Sequence, residues 1–195
     1  MAAHVQSVAG AGIEQVAKGE FYARIRPGDL VYCSGRETIS CAIEGLTHSP
    51  WSHVLMAWLP GSWGSQWLTL EATFERGVHV GLLADYVDGY DGDLVAARRG
   101  CLSESQIHAE LNCGLSLLDD GYDWRQELSI AARKLVKALP LIEPKKELYC
   151  SGLQYAMSLA TPYPLWKPEA CLPTPEDNWT DSTVEAVCAL LREAA

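Results

Sequence analysis

The two halves of this sequence space their apolar residues differently, and this change of period restricts the folds that the chain can adopt. Between residues 27 and 98, apolar side chains form short continuous runs or alternate with polar ones, as in residues 67–74. Both patterns are typical of β-strands. After residue 102, apolar side chains recur at helical spacing, as in residues 107–115. The chain is therefore predicted to be α+β, with a small antiparallel sheet and several helices.

Turn signals and helix caps divide the two halves into individual elements. The predicted strands cover residues 30–33, 52–58, 67–74, 77–80 and 93–98. The predicted helices cover residues 38–46, 127–139 and about 150–160, with one more from Ser103 and a last one from Thr180 to the C-terminus. Residues 1–20 are interpreted as an N-terminal arm or short helix. Residues 161–179, rich in proline and tryptophan, are interpreted as a loop.

The acidic charge balance limits the partners that the chain can bind. The formal net charge is −10, so repulsion disfavours general binding to nucleic acid or to an anionic membrane surface. No run approaches the roughly 18 apolar residues of a membrane span, so stable membrane insertion is not expected. The first residues lack the charged and apolar regions of a signal peptide. We therefore expect synthesis in the cytosol, and export by a machinery that does not read signal peptides stays open.

The cysteines indicate reduced thiols. Seven cysteines, an odd number, are scattered without close pairs in a chain that is large enough to fold on its core alone. A zinc site is the alternative, because Cys33, Cys41, His48 and His53 fall within one stretch. The gap between the two cysteines is longer than structural zinc sites use. No metal and no other cofactor is therefore predicted.

The tetrapeptide Tyr-Cys-Ser-Gly occurs twice, at residues 32–35 and 149–152, and offers two candidate nucleophiles. After the second copy, apolar residues from Leu153 onward repeat at helical spacing, which places Cys150 in a first helical turn. A helix N-terminus lowers the pKa of a thiol and presents N–H groups that can bind an oxyanion. Cys33 ends a predicted strand and has neither advantage. Cys150 is the preferred nucleophile, and a small buried side chain is the alternative for any single cysteine.

A thiolate needs a base, and the base needs a polar group that holds its tautomer. Of the five histidines, only His53 lies in an apolar predicted strand, where a rigid sheet would fix its ring. Its alternative is a core histidine bonded to a backbone carbonyl. Glu71 lies in the next strand of a predicted hairpin, within reach of the imidazole. Its alternative is a place on a solvent-facing side of the strand, together with Thr69 and Thr73.

Four segments, taken in order along the chain, resemble a known family. They are Pro-Gly-Asp-Leu-Val at 27–31, Thr-His-Ser-Pro-Trp-Ser-His-Val at 47–54, Leu-Glu-Ala at 70–72 and Tyr-Cys-Ser-Gly-Leu at 149–153. Together they resemble the circularly permuted NlpC-type papain-like cysteine hydrolases, among them the bacterial YiiX-like proteins. In ordinary NlpC-type enzymes the cysteine helix precedes the histidine strand, and here the order is reversed.

The resemblance implies a fold and a site. It implies a single papain-like domain over residues 1–195, with an antiparallel sheet packed against the cysteine helix. It implies that Cys150 is the nucleophile, His53 the base and Glu71 the residue that orients the base. Gly-Tyr-Asp-Trp at 121–124 also looks like a segment that precedes the cysteine helix in these proteins, with Tyr122 or Asp123 near the site. The residues expected to contact the substrate are Trp51, Tyr122, Tyr149 and Ser151. One position departs from the pattern, because YiiX-like sequences often carry an acidic residue where this chain has Gly152.

The resemblance also implies an activity. The first expectation is an amidase or endopeptidase that cleaves bacterial cell-wall peptides, for example as a toxic effector or a lysin. A lipid-directed thioesterase or acyltransferase is the alternative within the same chemistry. A non-catalytic binding module of the same fold is the alternative from another class. The expected partner is a peptide or acyl substrate, and an immunity or delivery protein stays open.

Overall fold

The computed structural model describes residues 12–36, 44, 49–60, 66–121, 148–165 and 173–191. Within these residues the strands are β1 (Gln15–Val16), β2 (Leu30–Gly35), β3 (His53–Pro60), β4 (Trp67–Thr73), β5 (Gly77–Leu82), β6 (Gly92–Arg99) and β7 (Val184–Leu190). The helices are α1 (Lys18–Arg24), α2 (Leu83–Gly89), α3 (Glu104–Ser116), α4 (Cys150–Ser158) and α5 (Pro175–Trp179). The predicted α+β class is therefore confirmed.

The described strands form one sheet, in the order β1-β7-β6-β2-β3-β4-β5. Neighbouring strands are antiparallel except β1 and β7, which run parallel. The sheet is therefore larger than the predicted small antiparallel one, and it is mixed at one edge. β3 is an inner strand between β2 and β4, whereas β5 lies at the other edge. This order gives the histidine strand a neighbour on each side.

The predicted helix from Thr180 to the C-terminus is wrong, because residues 184–190 form strand β7. β7 pairs with β6 on one side and with β1 on the other. Its last residues, Cys188, Ala189 and Leu190, are buried in the sheet. Pairing with β6 satisfies backbone groups that would otherwise lie open at a sheet edge, and this tertiary gain overrides the local helical pattern.

Two more predicted segments contain short regular elements. The predicted loop 161–179 ends in a short helix, α5, which begins with a capping box between Thr174 and Asp177. Residues 1–20, predicted to be an arm or a short helix, contain β1 and the start of α1 within their described part. The predicted helices 38–46 and 127–139 lie outside the described residues, apart from Glu44.

The sheet is covered on both faces. Val54 and Met56 of β3 pack in a core cluster with Cys150, Leu153 and Met157 of α4. Their strand neighbours, which point the other way, pack in a second cluster beneath α1 and α2, as Leu55 does with Phe21 and Leu83. A strand buried on both faces explains the nearly continuous apolar sequence of residues 53–58.

The helices on the first face begin as the sequence predicted. Ser103 caps α3 by accepting a hydrogen bond from the Gln106 N–H, and the Gln106 side chain bonds back to Ser103. α4 begins at Cys150, as the spacing of its apolar residues indicated. Among the described residues, no helix has the length and hydropathy that crossing a bilayer requires.

Candidate active site

Cys150 is the first residue of α4. The preceding Tyr149 has extended backbone angles, φ −98° and ψ 170°, and makes no side-chain capping hydrogen bond to the helix. Its carbonyl accepts the first helical bond, from the Leu153 N–H at 2.8 Å. The thiol is therefore held at the positive end of the helix dipole, beside backbone N–H groups that have no partner within the helix. Cys150 is 1% exposed.

His53 is the first residue of β3 and interacts with both other members of the predicted trio. Its Nε2 lies 3.3 Å from Oε2 of Glu71, and its side chain is 15% exposed. Burial by itself lowers the pKa of His53. Hydrogen bonding to Cys150 and to Glu71, together with their negative charges, outweighs burial and raises that pKa to about 10. The imidazole is therefore positively charged at neutral pH.

Glu71 is held on both of its oxygens. Thr69 Oγ1 donates to Oε1 at 3.0 Å, and the Tyr86 hydroxyl donates to Oε2. Burial raises the pKa of the carboxyl, but the hydrogen bond and the positive charge of His53 bring it below its usual value. Glu71 is 2% exposed and Thr69 is fully buried. The alternative that Glu71 and Thr69 lie on a solvent face is therefore wrong.

A glycine on the neighbouring strand makes room for this carboxylate. Gly81 of β5 is the cross-strand partner of Thr69. A Cβ atom placed on Gly81 would lie 1.8 Å from Oε1 of Glu71 and 2.8 Å from Oγ1 of Thr69. Any larger residue at position 81 would displace the Glu71 side chain.

Tyr86, on α2, completes the group around Glu71. Its ring stacks on the His53 ring, with centroids 5.7 Å apart and planes 12° from parallel. Its hydroxyl lies 3.2 Å from Nε2 of His53. Burial and the nearby Glu71 charge raise the pKa of Tyr86 well above its usual value, so it stays a hydrogen-bond donor. Sequence reasoning missed Tyr86, because it belongs to no motif and lies outside the segments that carry the resemblance.

Two other side chains border the site. His79 of β5 is the cross-strand partner of Glu71, and its Nε2 lies 3.8 Å from Glu71 Oε1. Cys33 of β2, in the first Tyr-Cys-Ser-Gly copy, is the cross-strand partner of His53 and is fully buried. Cys33 thus has a histidine neighbour, but it lies within a strand and lacks the helix N-terminus that Cys150 has.

The residues expected to contact substrate lie in the core or outside the described residues. Trp51 is fully buried, with its ring 5.5 Å from Tyr32 and 5.1 Å from Trp179. Ser151 is fully buried and donates to the Pro173 carbonyl at 2.9 Å. Tyr149 is 3% exposed, and Tyr122 lies outside the described residues. Substrate contact by these four residues stays a prediction.

The Tyr149 ring explains why residue 152 is a glycine. A Cβ atom at this position would lie 2.8 Å from the Tyr149 ring. Glycine therefore lets the Tyr149 ring pack over the first turn of α4. The acidic side chain that YiiX-like sequences often carry there would require that ring to move.

A cleft of about 820 Å³ opens beside the Glu71 end of the group. Its walls include Glu71 and Tyr86, and its rim includes the exposed Phe74 in the turn between β4 and β5. Neither Cys150 nor His53 lines this cleft. It therefore borders the carboxylate side of the site rather than the thiol side.

The described residues do not fit a metal centre. Within the described ranges, no three His, Cys, Asp or Glu side chains converge in a way that could hold a metal ion. The buried Glu71 carboxylate is already engaged by three side chains, those of Thr69, Tyr86 and His53.

The comparisons with known proteins show the fold. No family model matches the sequence, and no curated protein matches it. The chain is similar in structure to a protein described as metalloprotein YiiX from Escherichia coli O157:H7, with a TM-score of 0.62 and 18% sequence identity. The match covers 85% of this chain and 97% of that chain. This chain therefore has a YiiX-like α+β fold.

Proposed function

We propose that this protein is a cysteine hydrolase of the circularly permuted NlpC-type papain-like class. Cys150 is the nucleophile, His53 the base and Glu71 the group that orients His53. One observation carries the proposal: the His53 imidazole interacts both with a thiol at a helix N-terminus and with a buried carboxylate. This chain of contacts, from a nucleophile to a base to an orienting group, is the arrangement that activates a weak nucleophile.

The geometry supports different roles for the two ring nitrogens of His53. Nε2 of His53 is occupied by Glu71 Oε2 at 3.3 Å. Nδ1 is then the nitrogen that takes the proton of the Cys150 thiol, which leaves a thiolate beside an imidazolium. The charge of Glu71 and the dipole of α4 both favour this ion pair.

The reaction proceeds in two halves. The Cys150 thiolate attacks the carbonyl carbon of the substrate, and first-turn N–H groups of α4 stabilise the oxyanion. His53 gives its proton to the leaving amine as the C–N bond breaks, so that a thioester remains on Cys150. His53 next takes a proton from water, the resulting hydroxide attacks the thioester, and a carboxylic acid leaves. Cys150 and His53 return to their starting state.

We propose an amide, specifically a bacterial cell-wall peptide bond, as the substrate. An amine is a poor leaving group unless it is protonated, and a base with a pKa of about 10 carries the required proton at neutral pH. A thioester or an oxygen ester requires less help from a proton donor. A charged His53 is compatible with amide cleavage, and the preference for an amide over lipid-directed acyl chemistry follows the family resemblance.

A paired digestion tests both the chemistry and the substrate. Wild type, Cys150→Ala and the control Cys33→Ala are incubated with purified peptidoglycan and with a lipid extract. We expect wild type and Cys33→Ala to release peptide fragments, and Cys150→Ala to release none. Acyl release without peptide release would overturn the substrate proposal, and turnover by Cys150→Ala would overturn the cysteine hydrolase itself.

Alkylation kinetics separate an enzyme from a binding module of the same fold. Iodoacetamide labelling at neutral pH, mapped by mass spectrometry, compares Cys150 with the exposed Cys101. We expect Cys150 to react faster although it is buried, and to lose that advantage in His53→Ala. Labelling of Cys150 that is no faster than that of Cys101, and independent of His53, would contradict the catalytic role.

A further inference from the structure

Two hydrogen-bond donors meet on one oxygen of Glu71. The Tyr86 hydroxyl donates to Oε2, and Nε2 of His53 lies 3.3 Å from the same atom. The hydroxyl and Nε2 are themselves 3.2 Å apart. Since the Tyr86 ring also stacks on the His53 ring, one side chain contacts both the base and its orienting group.

We propose that Tyr86 is a positioning residue that fixes Glu71 Oε2 and the plane of the His53 ring, so that the imidazole presents its other nitrogen to Cys150. This inference rests on the proposed function of the Cys150 site. It goes beyond that function by assigning a fourth residue to the site. Tyr86 acts through Glu71 and His53.

A positioning residue is needed because the carboxylate of Glu71 can rotate about its terminal bond. Thr69 holds Glu71 Oε1. A second contact, at Oε2, is needed to stop the carboxylate from rotating about its terminal bond. Without the tyrosine hydroxyl, Oε2 would be held only by the imidazole that it is meant to orient. The hydrogen bond from Tyr86, which α2 holds in place, fixes Oε2 independently of the imidazole.

The charged and titratable groups around Tyr86 come from several elements. Burial raises the pKa of Tyr86 most, and Glu71 of β4, Cys33 of β2 and Tyr90 just after α2 raise it further. His53 of β3 faces the hydroxyl directly, and His79 of β5 lies on the far oxygen of Glu71. These groups keep the Tyr86 proton in place, so the hydroxyl donates to Glu71 throughout the neutral pH range.

Tyr90 offers a matched control. It packs against Tyr86, with ring centroids 5.7 Å apart, and its hydroxyl lies 3.2 Å from Ser52 Oγ. Tyr90→Phe therefore removes a neighbouring hydroxyl of the same kind without removing a hydrogen bond to Glu71. Tyr86→Phe removes the hydroxyl and keeps the stacked ring, and Tyr86→Leu removes both.

The experiment measures the rate of Cys150 alkylation against pH, together with kcat and KM on the substrate identified above. In Tyr86→Phe we expect kcat to fall roughly ten- to hundredfold, the range expected for a hydrogen bond to a charged group, with KM almost unchanged. The acid limb of the alkylation profile should move to higher pH, because a poorly oriented imidazolium stabilises the thiolate less. The fall in kcat should be larger in Tyr86→Leu than in Tyr86→Phe, because the leucine removes the stacked ring as well as the hydroxyl.

A second readout does not depend on turnover. Titration of the His53 ring by ¹⁵N NMR should give a lower pKa in Tyr86→Phe than in wild type, because Glu71 stabilises the imidazolium less when it is free to rotate. Tyr90→Phe should match wild type in both measurements. If Tyr86→Phe is only less stable, with wild-type acid limb and His53 titration, the positioning role is wrong. Turnover by Cys150→Ala would overturn the proposed function instead, and the His53 titration would still decide the role of Tyr86.

Discussion

Nε2 of His53 lies 3.3 Å from Oε2 of Glu71, and the two residues come from neighbouring antiparallel strands of one sheet. This relationship joins a partly buried base at the start of β3 to a carboxylate that is 2% exposed. A buried carboxylate keeps its charge only while donors surround it. The stability of the negative charge on Glu71 and the basicity of His53 are therefore properties of one group of side chains.

Glu71→Gln should lower kcat/KM by roughly tenfold or more, since each lost pKa unit on His53 corresponds to about 1.4 kcal/mol. The neutral amide no longer stabilises the imidazolium, so the thiolate forms less readily at neutral pH. Glu75→Gln, at an exposed position in the following turn, should leave kcat/KM within about twofold. Equal activity of the two variants would show that the Glu71 charge is not used.

Gly81→Ala should disturb the site from a residue outside the proposed catalytic trio. The new Cβ would lie 1.8 Å from Glu71 Oε1, so the carboxylate must move. We expect a loss of stability of about 1–3 kcal/mol, as for other overpacked sites, and a slower alkylation of Cys150. Gly89→Ala is the control, because a Cβ there meets nothing within 4 Å. Urea unfolding and iodoacetamide labelling measure the two effects, and a Gly81→Ala protein that matches Gly89→Ala in both would contradict the steric argument.

The raised pKa of His53 predicts how stability changes with pH. The folded protein holds the His53 proton up to a pKa of about 10, whereas the unfolded chain releases it near 6.5. This stabilising contribution is therefore fully present below about pH 6.5 and is lost as the pH rises through about 10. Urea unfolding at pH 6.5 and at pH 10 should show a larger loss of stability in wild type than in His53→Gln. A loss of equal size in both proteins would rule out a raised His53 pKa.

Thiol chemistry predicts the response to inhibitors. Cleavage should continue in excess EDTA, because the attacking group is the Cys150 thiolate, and it should stop after reaction with iodoacetamide. Activity that EDTA removes and added zinc restores would point to metal-dependent hydrolysis and against the proposed mechanism. The measurement is the release of peptide fragments under each treatment.

The ion pair between Arg99 of β6 and Glu110 of α3 should stabilise the fold. Both side chains are 1% exposed, and Thr161 Oγ1 donates to the same Glu110 oxygen at 3.2 Å. Arg99→Met leaves Glu110 buried without its cation, which should cost about 3–5 kcal/mol in urea unfolding. Asp91→Asn breaks the exposed pair with Arg36 and should change stability by less than about 1 kcal/mol. Similar effects of the two substitutions would show that burial of the first pair does not matter.

Local patterns predicted much of the secondary structure. The alternation in residues 67–74 and the apolar run that begins at His53 gave two strands of the observed sheet. The capping box at Ser103 and the spacing from Cys150 onward gave the starts of α3 and α4. These features depend on residues that are close in sequence, so a single segment contains the whole signal.

Other parts of the fold depend on contacts between distant segments. Residues 184–190 form a strand because β6 and β1 lie beside them, and no local pattern records that pairing. Gly81 and Tyr86 contact Glu71 only because β5 lies beside β4 and α2 follows β5. Side chains that act through such contacts carry no signature of their own in the sequence.

The sequence by itself determined the α+β class and the position of Cys150 at a helix start, because periodicity is a local property. The resemblance of its motifs to a known family made His53 and Glu71 candidates. The tertiary structure alone decided that Glu71 is buried rather than solvent-facing, since its burial depends on strand β5 and helix α2 covering it. It also decided that Tyr86 shares an oxygen of Glu71 with His53. The protonation states of the site follow from that convergence, because the pKa of a buried group is set by the charges and donors that the fold places around it.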